Sequence, residues 1–389
     1  MPIVPLVSMG VQSFIVNHRS NPLEKWKKVP TLKPPLASKL AQRNSSLGNL
    51  QRLPPELISK VLDNLDICSF HRFARVTFLA NAFVQLQSSY TQLLESAPKA
   101  LQALVQVGLI SQYSLGQLYA ILRTEQCTTC DQFGPFLFPL TGKRCCYGCF
   151  LGHPSLGVYP PERAKERFGL TEESIRQLPT LRVIPSQCAA RKHKCKHECK
   201  LVSIKSARDL ANRLHGAVGN PYLASEDLFT GIRYIYEGPW VDEKDKEDGL
   251  FSMACIPFPS RSKEGVLESG LWCRGCVVKS LQFESGLLSD EFFDALLKTV
   301  FLPLRASLQQ PFFYLSDDDI AGPRWGPVVR EILLLLLVRR AYTTKSFVCH
   351  ANFCDGVRRI RATFDPTVDY DPSPAHQDAV DHKAAFSDI

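Results

Sequence analysis

The sequence predicts a mainly α fold with small β elements, in which a three-helix module near the front leads into a helical body that becomes α+β and carries a ribbon-like hairpin. Three observations carry this expectation. Apolar residues recur with a helical period between Leu50 and Gln87. Broad apolar stripes continue over residues 88–125. Beyond them, two Cys-x-x-Cys turns enclose a short Phe-x-Phe stretch of the kind that pairs as a hairpin.

The module begins with Leu53-Pro54-Pro55-Glu56-Leu57. Prolines suit a helix entrance, where a fixed φ helps and a missing N–H costs nothing, and Glu56 faces the positive helix end. Leu57, Ile58, Val61, Leu62 and Leu65 then share one helical face. Asp66 is expected to cap a second short helix with Ile67, Phe70 and Phe73, and Asn81 to cap or interrupt a third. A module of about forty residues cannot bury a large core alone, so it docks on the rest of the chain or keeps a face for a partner.

Residues 88–125 read as helical throughout, with Gly108 as a stop and Ser114 as a cap before Leu118, Ile121 and Leu122. Further helices are expected over Glu162–Phe168, closed by Gly169; after a Thr171 cap; over Ser206–Leu214; and over Glu291–Phe301, capped by Asp290. Strand-like pieces are Phe136–Phe138, Leu201–Ile204 and Ile232–Tyr236. The run Ile332–Val338 falls far short of the ~20 apolar residues a membrane span needs, so it predicts a buried helix. The expected organisation is a disordered basic tail at 1–49, the three-helix module at 50–90, and a helical segment with the paired Cys-x-x-Cys turns at 91–150. A C-terminal α+β body at 151–362 and a disordered acidic tail at 363–389 complete it.

Charge is uneven. Residues 1–49 hold seven Lys or Arg against one Glu, a net of +6 out of +8 for the whole chain, which leaves +2 for the body. A basic tail is more often solvated than bound to nucleic acid, so nucleic acid is not the expected partner. The first residues lack a basic start and contain Pro2 and Pro5, a poor export signal. With no membrane segment expected, the compartment read from the sequence is cytoplasm or nucleus.

Fourteen cysteines concentrate the chemistry. Cys127-Thr-Thr-Cys130 and Cys146-Tyr-Gly-Cys149 flank Phe136-Leu-Phe138 and a Thr141-Gly142 turn. Two such turns, brought together by a hairpin, complete a tetrahedral four-sulfur shell, so structural zinc is expected on Cys127, Cys130, Cys146 and Cys149. Cys146 is chosen over Cys145 because it alone restores the Cys-x-x-Cys spacing. A redox pair would need a thioredoxin-like strand, loop and helix, which the sequence lacks. A RING-type site would need eight interleaved ligands.

A second set is Cys273 and Cys276, in Trp272-Cys-Arg-Gly-Cys276, with His350 and Cys354 at i and i+4. Two readings stand for it, a second zinc site or unliganded thiols. The rival ligands Cys188, His193, Cys195, His197 and Cys199 lie in the basic stretch around Arg191–Lys200, where ammonium groups would oppose a cation. They read as a solvated loop.

The order Leu53-Pro54-x-Glu56-Leu57, then Val61-Leu62, Leu65-Asp66, Phe70 and Arg72-Phe73-x-Arg75-Val76 resembles an F-box. With the Cys-x-x-Cys and Cys-Cys-x-x-Cys pair, the Trp-Cys-x-Gly-Cys turn and the His-x3-Cys ending, residues 50–357 resemble fungal F-box proteins with cysteine-rich bodies. The resemblance implies docking of the linker subunit of an SCF (linker, cullin, F-box) ubiquitin ligase through Leu53, Pro54, Leu57, Ile58, Val61, Leu65 and Phe70, and through it a cullin. The body would recruit a protein client. Cys68-Ser69-Phe70-His71 departs from the family, which usually shows Leu or Val and a following Leu there, and this implies a weaker linker contact.

No catalytic pattern accompanies these motifs: there is no GxSxG, GxxxxGK[ST], HExxH or GxGxxG, and His153, His215 and Asp317–Asp319 stand alone. The expected function is an adaptor and not an enzyme. The alternative is a zinc-stabilised protein- or nucleic-acid-binding protein outside ubiquitination, using Lys192–Lys200 and the basic tail.

Overall fold

The computed structural model describes residues 46–183, 199–216, 254–284, 288–296, 298 and 327–364. It is helix-rich with a few small sheets, and its N-terminal part is helical.

Helix α1 (Pro55–Asp63) starts where Pro55 occupies the first turn, and Asp66 caps α2 (Ile67–Ala74) by accepting the N–H groups of Cys68 and Ser69. Thr77, rather than Asn81, caps α3 (Phe78–Leu86), because its hydroxyl meets the Ala80 N–H. Asn81 lies inside that helix and donates back to the Ala74 carbonyl. The apolar stripe over 88–125 is cut into α4 (Ser88–Ser96), α5 (Pro98–Gln106) and α6 (Leu115–Leu122). Pro98 ends one helix and opens the next because it has no N–H to continue the ladder. Gly108, at φ 77°, ends α5 as expected, and Ser114 closes a full capping box on α6.

These six helices share one core, which runs from Ile58 and Phe70 through Leu101 and Leu118 to Phe347 and Val357. The front module is therefore continuous with the body. Leu115 donates its N–H to the Leu65 carbonyl at 2.8 Å, and Asp66 bridges Ser114. Asp63 accepts from Gln87 at 2.7 Å and from Ser89 at 2.6 Å, while Ser59 donates to Gln87 at 2.9 Å. This polar cluster locks α1 to the α3–α4 junction.

The first sheet has the order β2-β1-β6, from Phe136–Phe138 (β1), Lys143–Cys145 (β2) and Ile256–Pro257 (β6), all antiparallel. The β1–β2 hairpin turns at Gly142, whose φ of 72° and contact with the Tyr113 ring, 2.8 Å from where a Cβ would sit, admit glycine alone. Helix α7 (Tyr147–Gly152) follows. A second sheet, β3-β5-β4, joins Val158–Tyr159, Cys199–Ser203 and Thr180–Val183. With α8 (Pro161–Phe168), α9 (Glu172–Arg176) and α10 (Ile204–His215), it encloses a separate small core around Phe168, Val202 and Leu210. Here Ile204 begins the helix instead of ending the strand, because Ser203 caps it.

Strands β7 (Ser260–Arg261) and β8 (Leu267–Glu268) form a hairpin pinned to the front helices: Arg261 reaches Ser96, and Arg123 donates to the Ser262 carbonyl. Last come α11 (Arg274–Glu284), α12 (Asp290–Leu296), α13 (Pro327–Val338), α14 (Thr344–Phe353) and α15 (Asp355–Phe364). Ser289, not Asp290, supplies the cap of α12, and the expected stretch 299–301 lies outside the described residues. In α13, Leu333, Leu334, Leu336 and Leu337 are buried as expected. Among the described residues no helix is long and apolar enough to cross a membrane. Residues 1–45, Ile232–Tyr236, Asp317–Asp319, Cys188, His193, Cys195, His197 and 365–389 lie outside the described residues.

Candidate metal centres and docking face

Cys127 and Cys130 form a tight turn in which Cys127 donates its N–H to the Gln132 carbonyl at 2.6 Å and accepts from Asp131 at 3.2 Å. Asp131 holds φ at 57°, the left-handed value that bends the chain back under the sulfurs. The β1–β2 hairpin then delivers Cys146, the residue that caps α7, and Cys149 in the first turn of that helix. The Cys149 N–H points at the Cys146 sulfur at 3.4 Å.

The four sulfurs of Cys127, Cys130, Cys146 and Cys149 lie within 4.8 Å of one another, with Cys130 and Cys146 at 3.5 Å. Four bonds of ~2.3 Å around one ion give a tetrahedron with edges of about 3.8 Å. A disulfide would need ~2.05 Å, and all four are free thiols. Hydrogen bonds from Cys130, Cys146 and Cys149 hold the Cys127 thiol below its ordinary range. Cys145 points elsewhere: its sulfur lies 3.8 Å from that of Cys255, and burial raises its thiol well above the ordinary value.

The second set also converges. Cys273 precedes α11, Cys276 lies in its first turn, His350 is on α14, and Cys354 follows α14 as its C-terminal cap. All four side chains are buried, and their ligand atoms lie within 4.8 Å of one another. Cys276 is 3.4 Å from His350 Nε2 and 4.0 Å from Cys354, and Cys273 is 3.7 Å from Cys354. The ring of Tyr342 stacks on His350 at 4.4 Å and fixes its plane. Cys349 stays half-buried, outside the set. Both sets could hold a metal ion, and the soft donors in a near-tetrahedral arrangement fit the chemistry of zinc.

Gly275 is needed for a reason its sequence position did not show. A Cβ there would lie 2.4 Å from the Val357 N, and one on Gly356 would lie 2.1 Å from the Gly275 carbonyl oxygen. The two backbones touch, which brings Cys276 and Cys354 together. Beside them the buried Asp355 carboxylate accepts from Lys279 at 2.9 Å and Arg359 at 2.8 Å, so α11 and α15 are also joined by charge.

A second feature, at Arg144, was not visible in the sequence. Its side chain is 2% exposed, and its guanidinium donates to the carbonyls of Gly134, Phe258, Ile121 and Pro259 at 2.7–2.9 Å. Burial pushes its pKa down to about 10.

The expected docking residues divide into two groups. Ile58 and Phe70 lie inside the core, where Phe70 packs on the Tyr90 ring at 4.8 Å. Leu53 and Leu65 are half-buried against the same core, and Pro54 is exposed. Leu57 and Val61, at i and i+4 on α1, are each 44% exposed and form one apolar stripe. Leu50, Val76 and Leu86 are exposed as well, Leu86 at 81%, and none of them was among the expected docking residues.

The family model described as "F-box domain" matches residues 50–91. No curated protein and no solved structure matches the chain.

Proposed function

We propose, from the premise that residues 50–91 carry an F-box domain, that this protein is a substrate-recruiting adaptor of an SCF-type ubiquitin ligase. F-box domains bind the SCF linker subunit and thereby a cullin. The observation that carries the reading is the exposed Leu57 and Val61 stripe on α1, with Pro54 at its entrance, inside the matched segment. An apolar helix face of this kind suits a helix-in-groove contact. Ile58 and Phe70 support that face from beneath.

The body supplies the client-binding part, with two structural zinc ions, one on Cys127, Cys130, Cys146 and Cys149 and one on Cys273, Cys276, His350 and Cys354. When bound, zinc contributes cross-links that substitute for additional hydrophobic core. Four protein ligands leave no open coordination position, so the ions hold the fold and do no chemistry on a substrate. The protein acts without catalysis of its own, in the cytoplasm or nucleus.

Proximity labelling with the wild type and with the surface variant Leu57→Ala, Val61→Ala tests the reading. The linker and cullin should be labelled far more strongly by the wild type, while the client is labelled by both. Equal labelling of linker and cullin by the two chains refutes it. Metal analysis of the purified chain should return two zinc ions, and a stably folded protein without zinc removes both centres.

A further inference from the structure

Buried cations in proteins are ordinarily paired with anions. Arg144 makes no hydrogen bond to a carboxylate among the described residues: its guanidinium donates to carbonyls and lies over the Phe258 ring at 5.5 Å, while Glu125 acts on it from farther away. What the residue does have, on its main chain, is the first metal centre. Its carbonyl accepts the Thr128 N–H at 3.0 Å and the Thr128 hydroxyl at 3.1 Å, inside the Cys127–Cys130 turn. Two residues on, Cys146 is a ligand. Gly134 is wedged behind them, and a Cβ on it would lie 2.9 Å from Arg144 Cγ and 3.1 Å from Cys127 Cα.

The side chain ties three segments that are far apart in sequence. Ile121 ends α6, on the F-box side of the core; Gly134 leads out of the Cys127–Cys130 turn; Phe258 and Pro259 link β6 to β7. Closing the sulfurs on an ion sets the end of β2, from which the Arg144 side chain starts.

We propose that Arg144 is a positioning residue that couples metal occupancy of the Cys127, Cys130, Cys146 and Cys149 centre to the junction between α6 and the β6–β7 segment. Loading the centre tightens that junction, and by reciprocity a tight junction holds the metal. In an adaptor the junction sets how the F-box end is held relative to the body, so metal loading controls the stiffness of the bridge. The inference rests on the metal reading above.

The experiment uses the full zinc-loaded chain under EDTA, following alkylation of each cysteine by mass spectrometry and amide hydrogen exchange over time. In the wild type, loss of protection at Cys127 and Cys149 should coincide with faster exchange in residues 115–123 and 256–262. Arg144→Gln should release the first metal about tenfold faster or more, the usual cost of losing an outer-shell partner, with the release at Cys273, Cys276 and Cys354 unchanged. Arg144→Lys should recover part of the loss. Exchange that changes only within residues 127–149, or equal release rates for the wild type and Arg144→Gln, overturns the coupling. Where Arg144→Gln fails to fold, the wild-type exchange pattern under EDTA decides. A wild-type chain that takes up no zinc, with all these cysteines alkylated at once, overturns the metal reading itself.

Discussion

Leu57 and Ile58 are neighbours in sequence, but the structure leaves one exposed and buries the other, and substituting them separately tests the proposed docking face. Leu57 and Val61 keep 44% of their surface on α1, whereas Ile58 keeps 4%. Fully burying a Leu or Val side chain contributes about 1.5–3 kcal/mol, so the exposed share yields about 1 kcal/mol each on docking. Together they supply about 2 kcal/mol, or about 30-fold in Kd at about 1.4 kcal/mol per tenfold. The double variant Leu57→Ala, Val61→Ala should therefore weaken linker binding by about that factor in titration calorimetry, with the thermal midpoint of the free chain nearly unchanged. Ile58→Ala should do the reverse: it opens a cavity that costs about 2–5 kcal/mol of stability and lowers the midpoint. An unchanged Kd in the double variant, or an Ile58→Ala chain that loses binding at full stability, refutes the assignment of faces.

Cys146→Ser should strip the first metal and destabilise the chain strongly, while Cys145→Ser should leave metal content intact in elemental analysis; equal losses would reverse the ligand choice. Gly275→Ala forces a methyl to 2.4 Å from the Val357 backbone, so the second metal should be lost while the first is retained, as read by cysteine-resolved alkylation. The His71 imidazole is pushed below its ordinary value near 6.5 by burial, and it sits 2.5 Å from the Tyr90 hydroxyl. With the folded pKa depressed, the neutral ring's contribution is present above 6.5 and lost as pH falls through the window beneath it. Unfolding followed from pH 7.5 to 5 should show this loss, and His71→Gln should flatten it.

Much of the local structure was legible because it rests on short-range chemistry. Asp66, Ser114 and Thr171 cap helices as their side chains allow, and Gly108 and Gly169 end them. The misreadings were also local: Thr77 outcompetes Asn81, Ser289 outcompetes Asp290, and Pro98 breaks a stripe whose period alone looked continuous. Periodicity reports which face is apolar and carries little about where a ladder of hydrogen bonds stops.

The sequence by itself determined the types and spacing of the candidate ligands, because a Cys-x-x-Cys turn is closed by its own backbone. It also determined the apolar face of the front module. Only the tertiary structure decided that residues separated by more than seventy positions, Cys276 and His350, meet at 3.4 Å. It alone showed that Gly275 is small to let Gly356 approach, and that Arg144 faces inward instead of toward water. It also divided the expected docking residues, burying Ile58 and Phe70 and leaving Leu57 and Val61 to solvent. The physical reason is common to all of these. Spacing along the chain encodes what neighbours in sequence can do, whereas burial and charge pairing depend on which distant segments pack against them.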